Sequence, residues 1–497
     1  DIETYRKDEI FHPYACGWYN GEIANTYYLT DFLNADEMIS SAVKGIVKDI
    51  ELKKKFTTTQ VVYVHNLAHF DCIYLLKVLN SLGSVKLAEK SGKMSYVKFY
   101  IKVPYLGKDG KSKERIIKLK FFDSIQLIPA SLRRLAEEFG TQTQKGVFPY
   151  RFVREGNLNY EGPVPSINYF DEISNQEYNT MLEKGKWNLK DETLKYLNDD
   201  IKALHEVILK FANEVFDEFN LNIFEYSTVS SLALAIFRGH YLKDDNHIPI
   251  ISGNMHKFIR DAYYGGITEV YQPRLQRGFI YDVNSLYPYA MTQPMPMGNP
   301  IFTDENDLNK LFGFSFAKIE TPKNIKFPIL PTRDEKGNLI CPIGSWSGWY
   351  FTEELKEAKK LGYKIEILSS YHFSEKGNPF KEFVEFFYNK KANSSGASRM
   401  LYKLMLNSLY GRLGLSLDST ISEIIPSSEV EKYYLLYEVL DGYSLNENFE
   451  FIKYKINTDI SNIQNDNILK EATKQMLGLD QKYNESISSV ATAAAIT

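Results

Sequence analysis

Apolar residues recur along the chain with two periods, and each period predicts a different element. At 61–64 a β-branched run ends in His65-Asn66, the pattern of a short buried strand. Positions 71–82 carry apolar residues three and four apart and predict a helix. An alternating stretch, 115–122, predicts a strand ending at Asp123-Ser124, and 131–139 predicts a helix. The span 146–187 is broken by Pro and Gly and predicts loop. A long amphipathic pattern over 189–219 predicts a helix, with Asp191 and Glu192 in its first turn. Strands alternating with helices predict an α/β layer up to about residue 222.

A second unit is expected from 223, so that the fold class is an α/β domain followed by α+β, multidomain. An apolar strand is predicted at 278–283, leading into a turn over 284–291. The span 299–378 mixes short strand patterns with Pro and Gly and reads as an insertion; 379–413 is strongly helical. Strand patterns return over 416–475, a second insertion. The last residues, 485–497, are small, apolar and helical in period, with no cap or breaker. A helix cut by the chain end is expected there.

Composition narrows the class. With 497 residues the chain is long enough for two to four domains, and 44% hydrophobic with 25% charged residues is a soluble, globular balance. No apolar run reaches the roughly 18–20 residues of a membrane span. The formal charge of −4 means that nucleic-acid binding would need a local basic surface. Three distant cysteines, Cys16, Cys72 and Cys341, argue against a disulfide framework and for a reducing compartment. His65 and His69 are four apart, but no third ligand completes a zinc site. The first residues have neither a signal nor a transit pattern, and no initiator Met stands at position 1, so a natural start upstream is expected. The 35 Tyr and 31 Phe, with abundant Lys, Asn and Ile, have A/T-rich codons and point to an A/T-rich genome such as that of an organelle or its plasmids.

The candidate chemistry begins with carboxylates. Asp1 and Glu3 are two apart, which on a strand puts both on one face. Asp71 follows the strand and turn ending Asn66-Leu67-Ala68-His69-Phe70. Tyr196 and Asp200 are four apart on the long helix and share a face. Hard carboxylate oxygens of this kind hold the paired Mg²⁺ or Mn²⁺ ions of phosphodiester hydrolysis. Each of these short patterns alone is ordinarily solvated surface; their order and spacing carry the argument. Asp1-x-Glu3, Asn66-x-x-x-Phe70-Asp71 and Tyr196-x-x-x-Asp200 resemble the three 3′→5′ exonuclease motifs of proofreading family-B DNA polymerases. The resemblance implies a ribonuclease-H-like domain over 1–222, with Asp1, Glu3, Asp71 and Asp200 as metal ligands and Tyr196 orienting the water. It further implies that His65, Asn66 and Phe70 contact the frayed primer end. Ser124-Ile125 resembles the single-stranded-DNA motif of the protein-primed branch, a pattern that Ser131-Leu132 also fits. Lys145-Gly146-Val147-Phe148 resembles its Lys-x-x-hydrophobic motif, in which the Lys assists hydrolysis.

Further along, Tyr281-Asp282-Val283-Asn284-Ser285-Leu286-Tyr287-Pro288 offers an apolar strand, a carboxylate at its end and a tight turn, the combination that can hold a metal beside a triphosphate. It resembles motif A of the same family. Asp282, with the carbonyl of Val283, would ligate metal, and Tyr287 would exclude a ribose 2′-OH. Arg399, Lys403, Asn407 and Tyr410 lie on one face of a helix, where two cations one turn apart suit a triphosphate. Lys403 to Gly411 resembles motif B, and Lys391 falls where protein-primed members carry another phosphate-binding Lys. Tyr263-Tyr264-Gly265-Gly266 resembles the Tyr-x-Gly-Gly motif, implying DNA contacts by Tyr263, Gly265 and Gly266.

The resemblance implies a right-hand polymerase arranged as the start of a palm with motif A (223–298), a first terminal-protein-region-like insertion (299–378), fingers with motif B (379–415), a second insertion (416–475) and a truncated palm (476–497). It implies two Mg²⁺ or Mn²⁺ per active site, and as partners template-primer DNA, dNTPs and a terminal priming protein, with no membrane. The expected setting is a linear mitochondrial plasmid, with a virus or phage as the alternative. Motif C is missing: Asn457-Thr458-Asp459-Ile460 is the nearest string and does not fit, so motif C and the thumb are expected beyond Thr497. The rival readings are a stand-alone 3′→5′ exonuclease and a catalytically incomplete DNA-binding fragment.

Overall fold

The computed structural model describes residues 1–53, 59–90, 93–106, 111–171, 173–183, 185–243, 247–415, 420–456 and 489–497. The Asn457–Ile460 string and most of the end of the second insertion lie outside them. The chain divides into two compact units, Asp1–Thr228 with Asp418–Tyr483, and Val229–Leu417 with Asn484–Thr497.

The first unit opens on a three-stranded antiparallel sheet of β1 (Ile2–Lys7), β2 (Ile10–Tyr19) and β3 (Ala24–Tyr28), followed by helix α1 (Ala35–Leu52). None of these four elements is predicted from the periodicity. α1 starts where the Asn34 side chain accepts from the Glu37 amide, a standard N-cap. Strand β4 (Thr59–Val64) then pairs in parallel with β7 (Ser112–Asp123), while β5 (Ser84–Lys90) and β6 (Lys93–Leu106) extend the sheet antiparallel. α2 (Asp71–Leu82) and α1 bury Met38, Val43, Val78 and Leu79 against the inward residues Val85, Val97, Phe99, Leu119 and Phe121 of this sheet. Burying side chains of this size stabilises by about 1.5–3 kcal/mol each. Among the described residues the two sheets share no ladder. An apolar cavity of about 330 Å³ lies between the β2 residues Cys16–Tyr19 and the β4 residues Gln60–Val64.

α3 (Leu132–Glu138) is capped by Ser131. The span expected to be loop is mostly irregular, but it contains a nine-residue helix, α4 (Asn175–Glu183). Ser174 and Glu177 bond each other at its start, a reciprocal cap of the kind that starts a helix even in a Pro-rich stretch. α5 (Leu189–Phe219) runs for 31 residues, from the Asn188 cap to Asn220 in the left-handed region at φ 52°. It buries Tyr196, Leu197, Asp200, Ile201, Leu204, Val207, Phe211 and Val215 along one stripe, as its 3.6-residue period requires.

The second unit contains α6 (Val229–His240), α7 (Gly253–Asp261), α8 (Leu286–Met291) and the sheet β8 (Ile301–Thr303), β9 (Gly313–Glu320), β10 (Ser345–Phe351) and β11 (Lys364–His372), in the order β8-β11-β9-β10. Helix α9 (Thr352–Lys360) follows β10. The helical stretch 379–413 is two helices, α10 (Lys381–Ala392) and α11 (Gly396–Leu413), packed on each other, with α11 also against α6. The strand expected at 278–283 does not form: these residues belong to no ladder, and Ile280, Tyr281 and Val283 are exposed. An apolar run alone cannot make a strand, because its backbone groups need a neighbouring ladder, and none adjoins them among the described residues.

The chain then returns to the first unit. β12 (Ile421–Pro426), helix α12 (Val430–Leu436), β13 (Tyr437–Asn446) and β14 (Phe449–Ile456) follow, and β12 pairs with β5 at Ser422–Leu87 and Glu423–Lys86. One seven-stranded sheet results, β13-β14-β12-β5-β6-β7-β4. The segment read as a second insertion therefore shares a sheet with the first 123 residues. Back in the second unit, α13 (Val490–Ile496) packs on α7 and α11.

Candidate active site

Three local devices bring four acids to one cleft of the first unit. Asp1 immediately precedes β1 and Glu3 is its second residue. A bulge between Glu3 and Thr4 leaves Tyr14 unmatched on β2, and bulges re-aim the side chains beside them. Asp71 opens α2 after a turn that Asp123 holds: its carboxylate accepts from the amides of Asn66, Ala68 and Ile125, each at 3.0 Å. Asn66 sits at φ 68°, a conformation Asn tolerates. Asp200 stands one turn beyond Tyr196 on the buried stripe of α5.

Carboxylate oxygens of Asp1, Glu3 and Asp200 lie within 4.8 Å of one another. Asp71 lines the same cleft, with His65, Asn66, Phe70, Lys145 and Tyr150. Burial pushes Glu3 up to about 7, Lys145 opposing the shift and Asp200 and Asp71 adding to it. Asp71 rises to about 6, mainly through burial, and burial also raises Asp200 against the pull of Lys145. Crowded, buried carboxylates resist ionising together, and a divalent cation relieves that resistance. The oxygens Asp71 Oδ1 and Asp200 Oδ1 are buried without a hydrogen-bond donor, which is costly unless a cation or donor takes their lone pairs. The donor set, all hard oxygen, fits Mg²⁺ or Mn²⁺.

Two further groups complete the cleft. The Lys145 ammonium forms an ion pair with Asp200 and lies 4.9 Å above the ring of Tyr196. The Tyr196 and Tyr150 hydroxyls bond each other. Burial first, then Asp200, drives the Tyr196 phenol far up, so it stays protonated and acts as a hydrogen-bonding group, not a base. His65 Nδ1 and Ser124 Oγ are 2.9 Å apart, and burial holds His65 down at about 4. The Ile125 backbone joins the Asp123 network. The Phe70 ring meets Phe11 and Tyr74 edge-on, 5.8 and 6.0 Å away. Sequence reading missed Asp123, Tyr150 and Phe11. Tyr150 lay in a span read as loop, and Phe11 in a strand that was not predicted. Asp123 was seen only as a strand end, because its role is to accept from backbone amides.

The second unit assembles the other set. Lys391 Nζ lies 3.0 Å from Ser285 Oγ, and Arg399 donates to the Lys391 carbonyl at 3.1 Å. Partial burial, then Arg399 and Lys403, lowers Lys391, so three cations converge beside the Ser285 turn. Ser285 occupies the left-handed region at φ 58°. Tyr287 and Tyr410 stack at 4.5 Å and 25°. A Cβ on Gly266 would come within 3.2 Å of the Tyr287 hydroxyl, and one on Gly414 within 2.7 Å of the Tyr263 hydroxyl. The Tyr263–Gly266 string therefore meets Tyr287; Gly265 has open space around it. Asn407 bonds back to the Lys403 carbonyl. Asp282 and Val283 are exposed. Among the described residues, the acid cluster of the first unit is the one group of three or more potential metal ligands.

Residues 55–497 match the profile of DNA polymerase type B, organellar and viral. The chain belongs to that family. Probable DNA polymerases of two fungi are among its relatives. The one from Neurospora intermedia is 34% identical over 450 residues, 85% of this chain and 45% of the relative. The one from Podospora anserina is 33% identical over 480 residues, 87% and 39%. The chain thus spans less than half the length of either. Phi29 DNA polymerase complexed with primer-template DNA and incoming nucleotide substrates has the same fold: 21% identity, TM-score 0.58, covering 86% of this chain and 70% of that one. As a type B family member the chain has a mixed α/β, multidomain polymerase fold, and the family implies divalent metal cofactors. No helix among the described residues is long and apolar enough to cross a membrane.

Proposed function

We propose that this chain carries the 3′→5′ proofreading exonuclease and the nucleotide-binding face of a protein-primed, DNA-directed DNA polymerase. The observation that carries the reading is the cleft of Asp1, Glu3, Asp71 and Asp200, with two buried carboxylate oxygens lacking donors. When bound there, two Mg²⁺ or Mn²⁺ ions would activate water and offset charge on the phosphate. The chain's own residues do the rest. Phe70, His65 and Asn66 receive the frayed 3′ end, with Ser124 fixing the His65 ring and Phe11 widening the apolar wall. Tyr196, steadied by Tyr150, orients the water through a hydroxyl that keeps its proton. Water attacks the terminal phosphorus, the P–O3′ bond breaks, and a nucleoside monophosphate leaves behind a new 3′-OH. The Lys145 ammonium offsets the charge that gathers on the phosphate.

In the second unit, Lys391, Arg399 and Lys403 suit the phosphates of a dNTP, and the Tyr287–Tyr410 stack suits the sugar and templating pair. Asp282 would contribute the metal-binding acid of synthesis. Template-primer DNA and a terminal priming protein are the partners of this reading. The organellar and viral range of the family and the fungal relatives support a linear mitochondrial plasmid as the replicon. The test uses a 5′-labelled single strand with Mg²⁺: a ladder shortening from the 3′ end, stopped by EDTA, is expected. Internal cuts, or an intact strand, contradict the reading.

A further inference from the structure

The cleft uses one edge of the first unit, and the outer face of its seven-stranded sheet remains unused. Side chains directly opposite in neighbouring strands share a face. The register therefore sets Glu423, Lys86, Lys98 and Lys120 in one row across β12, β5, β6 and β7. The next row holds Ser84, Tyr100 and Lys118, and on the other side Tyr96 stands opposite Phe122. The alternate residues Leu87, Val97, Phe99, Leu119 and Phe121 are buried in the core, so these rows face away from it.

Both ends of the face are closed. α12 covers the β12 end, where Tyr433 donates to Glu423 at 2.7 Å. Phe224 closes the β4 end against Tyr63, with ring centroids 6.1 Å apart. Glu423 pairs with Lys86 at 3.2 Å, Glu225 with Lys120 at 3.8 Å and Glu114 with Lys102 at 3.8 Å. Lys98 and Lys118 in the middle have no acidic partner among the described residues. The Lys98 ammonium lies 4.4 Å over the Tyr96 ring and that of Lys118 lies 5.5 Å over the Tyr100 ring. Acids hold Lys86 and Lys120 on either side, so Lys98 and Lys118 are the cations that an outside polyanion would neutralise.

We propose that this face is a track for single-stranded DNA, separate from the hydrolytic cleft. Its lysine rows match a phosphate backbone, and Tyr96 and Tyr100 lie between the cations where unpaired bases can stack. Cations interleaved with aromatic rings are the pairing that holds single strands without sequence preference; a paired duplex hides its base faces from such rings. The track extends the proposed function to DNA that is not in the cleft.

The test is anisotropy titration of a labelled 20-mer single strand in EDTA, across a salt series. Lys98→Gln/Lys118→Gln is expected to weaken binding about tenfold and to flatten the dependence of log affinity on log salt by about 1.4, at roughly 0.7 for each phosphate no longer neutralised. Tyr100→Leu is expected to weaken binding about fivefold or more with the slope unchanged. Hydrolysis of a short oligonucleotide stays at the wild-type rate in both. Unchanged affinity and slope for the 20-mer in the folded lysine variant overturns the proposal, and leaves an acidic protein surface as the partner of these lysines. If the chain hydrolyses no DNA but the lysine-dependent binding persists, the exonuclease reading fails and the track stands.

Discussion

Asp123 does for the cleft what no catalytic group does: it fixes the turn from which His65, Asn66 and Asp71 project. Three backbone amides converge on its carboxylate, which is 1% exposed. Hydrogen bonds to a charged acceptor contribute about 1.5–3 kcal/mol each, and losing them strands buried donors. Asp123→Ala is expected to destabilise the protein by at least about 3 kcal/mol, read as a lower urea midpoint, with loss of hydrolysis. An unchanged midpoint would show that the turn stands without it. His65 gives a pH signature. Its folded value is held near 4 against an ordinary 6.5, so the folded state binds fewer protons between those values. The stability this neutral ring contributes is whole above pH 6.5 and is lost as pH falls toward 4. Melting temperature against pH should therefore be flatter over that window in His65→Gln than in wild type. At this scale the sequence was informative wherever residue type and spacing carry chemistry: Asp1 with Glu3, Tyr196 with Asp200, Lys391 with Lys403. It was silent on Asp123, Tyr150 and Phe11, whose roles depend on contacts from distant segments.

Among elements, those with strong local signals were legible. α2 follows from its period and α5 from its period and first-turn acids, and the break between α10 and α11 was blurred only because both flanks are helical. Strand 278–283 failed for a physical reason, since pairing is a property of two segments and the pattern belongs to one. The same logic hid the join of β12 to β5. It depends on Glu423, which accepts from Tyr433 and from Tyr454 (at 2.7 and 3.1 Å) and pairs with Lys86. Glu423→Ala removes the acceptor and strands both hydroxyls. Native-state amide exchange over 421–426 is expected to quicken at least about tenfold, or roughly 1.4 kcal/mol of local opening, with 59–64 unaffected. Uniform exchange across both segments would mean that the join does not open separately from the rest of the sheet.

For the whole molecule, the sequence foresaw two kinds of unit but not that the chain returns to the first after completing most of the second. That return makes 420–456 part of the unit that carries the acid cleft. The consequence concerns division of labour. One unit holds the acid cleft in which we propose hydrolysis, and the other holds three cations, a tyrosine stack and an exposed acid at Asp282. The most direct measurement is release of mononucleotide from a 3′-labelled single strand by wild type and by Asp200→Asn, with Mg²⁺ and with the fold checked by circular dichroism. Release by wild type and a fall of at least about a hundredfold in the variant, on the order of 3 kcal/mol of lost transition-state stabilisation, is the predicted result. Undiminished release by a folded Asp200→Asn chain would contradict the account.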